Sequence, residues 1–110
     1  MNTKFEYMYR DSENYKTYEE CVLSGELSMK DLCQYLFDGD FFIPSEVKLK
    51  DLQQLPLHAY DHIWHEIIEI NTVDEVANVS ISAKCFIEMF QEVSKSDWNQ
   101  NSVVKRLGMI

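Results

Sequence analysis

The sequence predicts an α+β fold, a small antiparallel sheet packed by two to three helices, and three observations carry that expectation. Residues 4–10 (KFEYMYR) alternate between apolar and polar with the period of a half-buried strand. Residues 82–94 (SAKCFIEMFQEVS) repeat with the period of an amphipathic helix. Only three glycines and two prolines interrupt the chain, so the elements between the turns are long enough to form both kinds of structure.

Taken in order, Phe5, Tyr7 and Tyr9 fall on one side of the first strand, and Lys4, Glu6 and Arg10 on the other. Residues 11–16 (DSENYK) supply turn formers, and residues 17–27 (TYEECVLSGEL) follow as an antiparallel partner. Ser28 stands where a helix cap is needed, with Asp31 three residues on and Leu27 and Leu32 at staple positions. The helix that this predicts runs over 29–37 and ends at Asp38-Gly39-Asp40, where glycine suits a left-handed cap. Residues 41–47 (FFIPSEV) read as an edge strand or buried loop stopped by Pro44. Residues 47–55 (VKLKDLQQL) read as a brief helix that Pro56 terminates. In the helix of 82–94, capped by Ser82, Ala83, Phe86, Met89, Phe90 and Val93 share one side. Lys84, Glu88, Gln91, Glu92 and Lys95 share the other. The tail from residue 99 matches no element.

At 110 residues the chain fits a single compact domain spanning 1–110, and its 45% hydrophobic content can fill a core without disulfides or metal. Nineteen acids against ten bases give a net charge of −9. Phosphate binding needs clustered Lys and Arg, so direct nucleic-acid binding is not expected. An acidic surface steers instead toward basic partners, or simply maintains solubility. The first ten residues lack the apolar run of a signal peptide, and no stretch reaches membrane-spanning length. Cys21, Cys33 and Cys85 are odd in number, widely spaced and flanked by apolar residues, as expected of small buried thiols in a reduced, cytoplasmic protein.

The segment 57–70 (LHAYDHIWHEIIEI) holds all three histidines. Wound as a helix, it places His58, Asp61, His62, His65, Glu66 and Glu69 on one arc, with the apolar residues on the remainder. Extended, it sorts poorly, although its isoleucines favour a strand. Periodicity therefore favours helix over strand. On a helix, His62, His65 and Glu66, assisted by His58 or Asp61, have the spacing of zinc ligands, and metal-assisted hydrolysis would be the associated chemistry. The competing reading is a plain polar face. HEIIE lacks the second histidine of a zinc-protease helix, and Asp38 and Asp40 around Gly39 lack the other ligands of a calcium loop. There is no phosphate loop, nucleophile elbow or dinucleotide fingerprint.

Residues 5–16 (FEYMYRDSENYK), 41–47 (FFIPSEV) and 61–66 (DHIWHE), in that order, resemble a set of small, uncharacterised bacterial proteins. The resemblance implies a bacterial cytosolic single domain and brings no activity, cofactor or catalytic residue with it. Size, charge and the lack of catalytic motifs favour a non-enzymatic interaction protein that binds or inhibits a basic protein partner. Tyr15, Asp38, Asp40, Phe41 and Phe42 are its candidate contact residues. The alternative is a metal-binding or metal-dependent hydrolytic protein built on the 58–69 cluster.

Overall fold

The hairpin forms as the alternation dictates. In the computed structural model, which describes residues 1–53 and 62–107, β1 (Asn2–Arg10) pairs antiparallel with β2 (Lys16–Leu23). The turn between them is held by Asp11, whose Oδ1 accepts the amides of Glu13 (2.9 Å) and Tyr15 (2.8 Å). Asn14 there adopts a left-handed φ of 66°, which asparagine tolerates better than most residues.

Ser28 caps the next helix through the predicted box, its amide donating to Asp31 Oδ2 at 2.8 Å. The helix is shorter than its cap suggests. α1 spans only Met29–Leu32, and a single 3-10 turn, Cys33–Tyr35, completes it. Gly39 does take a left-handed φ (78°), but in a tight turn with Asp38 (54°) that folds Phe37 back onto Phe41. It makes a hairpin turn where a helix cap was expected.

β3 is the two-residue strand Phe41–Phe42. Pro44 opens a 3-10 turn over Pro44–Val47, which Lys48 ends at φ 63°. The helix expected from residue 47 is therefore absent as far as Gln53, and its stop at Pro56 lies outside the described residues. β4 (His65–Val73) then enters the sheet antiparallel to both β1 and β3, giving the order β2-β1-β4-β3.

α2 (Ala83–Ser94) follows as predicted, with Ser82 Oγ accepting the Cys85 amide at 3.2 Å. It buries Ala83, Phe86 and Phe90 against the sheet, while Met89 and Val93 are half-buried. The tail, which the sequence left unplaced, turns through Asp97–Asn99 into α3 (Gln100–Arg106), which buries Val103.

The core is aromatic. Phe5, Tyr7, Phe42, Phe86, Phe90 and Trp98 meet at centroid separations of 4.9–6.4 Å, mostly tilted or edge-on, as ring quadrupoles prefer. Tyr7 and Thr3 carry polar groups into it that are bonded. Tyr7 donates its hydroxyl to Lys50 O at 2.6 Å, and burial pushes that phenol well above its ordinary range. Thr3 Oγ1 donates to Gly25 O (2.7 Å) and accepts the Leu27 amide (3.1 Å), tying β1 to the loop before α1.

Candidate functional site

The histidine segment is extended where it is described. Residues 65–73 are β4, which corrects the helical expectation for that part of 58–70, and the cause is a bulge. Across β1, Glu6 stands opposite Glu69 and Tyr7 opposite Ile67, leaving Ile68 with no partner. The residues opposite core-facing β1 positions are thus His65, Ile67, Ile70 and Thr72. One extra residue breaks the two-residue alternation, and with His65 buried and Ile68 42% exposed the polarity of the segment no longer follows the period of a strand.

His65 is fully buried. Its Nε2 accepts the Leu52 amide at 2.9 Å and its Nδ1 lies 3.3 Å from Ile63 O, an arrangement that fits a neutral ring protonated on Nδ1. Burial lowers its pKa to about 4, against the opposing charge of Asp51. His62 is bonded likewise: Nδ1 accepts the Trp64 amide (3.0 Å) and Nε2 donates to Arg10 O (2.6 Å). Both imidazoles pack tilted against the Tyr9 ring, His62 at 4.9 Å and His65 at 5.0 Å between centroids. Glu66 faces Met8 and pairs with Arg10 Nε at 3.4 Å on the opposite side of the sheet from His65. His62, His65 and Glu66 therefore do not converge, and the histidine nitrogens are committed to backbone groups. Among the described residues no group of three His, Cys, Asp or Glu side chains could hold a metal ion. His58 and Asp61 lie outside the described residues.

The candidate contact residues are scattered. Tyr15 is 72% exposed in the β1–β2 turn, and Asp38 and Asp40 lie at the β3 turn, Asp40 exposed and Asp38 at its start. Phe41 is half-buried near Trp64, which Phe37 stacks on at 4.3 Å. Phe42, expected as a contact residue, belongs to the core: it is fully buried, because the two-residue strand alternates and points its second ring inward.

Sequence reasoning missed the outer face of the sheet. Glu6 of β1 stands directly opposite Glu20 of β2 and Glu69 of β4, so three carboxylates form one row across three strands. Beside it, Met8 lies between Tyr18 and Glu66, and Tyr18 is 55% exposed. Lys4 flanks the row and bonds Glu75 at 2.8 Å; that bond, with the charges of Glu75, Glu20 and Glu6, holds its ammonium above its ordinary pKa. The Glu6–Glu69 pair was invisible in sequence because it depends on the register that the distant β4 takes against β1, which shifts between Glu6 and Tyr7.

The cysteines depart from expectation. Cys21 is buried, and burial together with Glu19 and Glu20 pushes its thiol up to about 11, but Cys33 and Cys85 are exposed. The apolar neighbours of Cys85 do not bury it, because α2 turns its side chain away from the face carrying Ala83 and Phe86. A thiol reagent is expected to label Cys33 and Cys85 rapidly in the native protein and Cys21 only on unfolding. Mass spectrometry of the labelled peptides checks this.

Among the described residues, no helix is long and apolar enough to cross a membrane. Compared with protein-family models, curated proteins and solved structures, the chain matches none.

Proposed function

We propose that this chain is a small acidic, non-enzymatic interaction protein that binds, and by binding inhibits, a basic protein partner. The observation that carries this reading is the row Glu20–Glu6–Glu69. Like charges directly opposite one another across strands are destabilising. A cationic surface laid over the row would reverse that penalty, and the net charge of −9 would speed the encounter. Tyr18, exposed beside the row, supplies an aromatic contact of the kind that concentrates binding energy.

The test is comparative capture by wild-type protein and by the double variant Glu6→Gln, Glu69→Gln. Removing the repulsion leaves folding intact or slightly improved, so any lost binding is a surface effect. A basic protein from the source cells should be retained by wild type, released by salt and lost in the double variant. Equal retention by both proteins would sink the reading.

A further inference from the structure

β2 is the open edge of the sheet. The other edge, β3, is closed by the Phe37–Phe41 bridge, whereas among the described residues β2 is covered only near its end. There Asn78 Oδ1 accepts the Val22 amide (2.8 Å) and the Asn78 amide donates to Val22 O (3.0 Å). Val22 thus turns its backbone groups away from β1. By the alternation of an antiparallel ladder, Glu20, Tyr18 and Lys16 do the same. Of these groups the Glu20 amide is capped locally, by Glu19 Oε1 at 3.1 Å. An edge of this kind is a template for another strand.

The sequence of that edge selects its occupant. Two copies of β2 laid antiparallel about a twofold axis at Tyr18 put Tyr18 opposite Tyr18 and Lys16 opposite Glu20 of the other copy, twice by symmetry. Sliding the axis to Lys16, Glu19 or Glu20 sets a like charge against itself, and an axis at Thr17 forms no ion pair. The register that satisfies the edge backbone is thus also the one that matches its charges. Within one chain both residues are mismatched: Lys16 stands opposite Arg10, and Glu20 opposite Glu6. We infer that the protein forms a twofold homodimer by pairing residues 16–20 of β2 with a second copy, joining two four-stranded sheets edge to edge. This dimer does not depend on the basic-partner reading, and it sets two carboxylate rows on one continuous face.

The experiment is sedimentation equilibrium of the purified chain, with Lys16→Glu, Glu20→Lys, the double variant and a one-to-one mixture of the two single variants. Wild type and the double variant should dimerise. Each single variant sets like charges opposite at both symmetric positions and should dimerise about tenfold more weakly or worse. Mixing the two single variants should restore dimers, because one chain then carries acids at both positions and meets bases at both positions of the other. Both single changes place opposite charges across β1–β2, at Arg10 and at Glu6, so they do not weaken the fold. A wild type still monomeric at millimolar concentration, or single variants that dimerise as well as wild type, overturns the proposal.

Discussion

Acidification from pH 7 to pH 4 is expected to remove about 3 kcal/mol of folding stability through His65 alone. The unfolded ring takes up a proton near 6.5, whereas the folded ring, buried and accepting the Leu52 amide on Nε2, does so only at about 4. Between those values the unfolded chain binds the extra proton. Stability is therefore complete above 6.5 and falls as pH drops through the window. The Leu52 amide sharpens the effect, because a protonated ring has no lone pair for it and would leave a buried donor unpaired. Urea melts of wild type and His65→Gln at steps between pH 7 and pH 4 measure the contribution. The variant starts less stable and should lose less on acidification; parallel profiles would remove His65 from the account.

Trp98→Ala is expected to cost about 4 kcal/mol, and Trp98→Gly about 1 kcal/mol less although it removes more of the side chain. The ring is fully buried, packs edge-on against Phe90 at 5.1 Å, and donates Nε1–H to Tyr35 O at 2.9 Å. Its backbone sits at a left-handed φ of 62° between Asp97 (50°) and Asn99 (52°). Such a run is strained for residues with a Cβ, and the buried indole with its hydrogen bond holds it in place. Alanine loses the anchor and keeps the strain, whereas glycine loses both. Equal melting temperatures for the two variants would show that the turn stores no strain.

The same elements explain what the sequence disclosed. Phe5, Tyr7 and Tyr9 were legible because β1 is regular along its pairing with β2, so period-two patterning maps directly onto burial. α2 was legible for the matching reason, with a helical period of about 3.6 residues. α1 showed its start but not its length, since capping is local while the stop at Tyr35 involves a distant partner, the Trp98 indole that donates to Tyr35 O. β4 was misread because Ile68 shifts the alternation midway, and a bulge is defined by the partner strand. The nitrogens of His62 and His65 point to ligands in the sequence, but the fold spends them on Arg10 and Ile63 carbonyls and on Trp64 and Leu52 amides. The carboxylate row joins residues 6, 20 and 69, and nothing local marks them as neighbours.

The position of β1 between β2 and β4 also fixes an order of events during synthesis. β1 leaves the ribosome before β2 and β4 and can pair with β2 across a short turn within microseconds. Its other side must wait for β4: Tyr9 and His62, bonded in the finished fold, are 53 residues apart. At typical elongation rates that wait lasts several seconds. Throughout it the nascent chain carries a half-built sheet with Phe5, Tyr7 and Tyr9 uncovered and one flank of β1 unpaired. The interval between the emergence of residue 10 and residue 73 is one in which the growing polypeptide is exposed to aggregation.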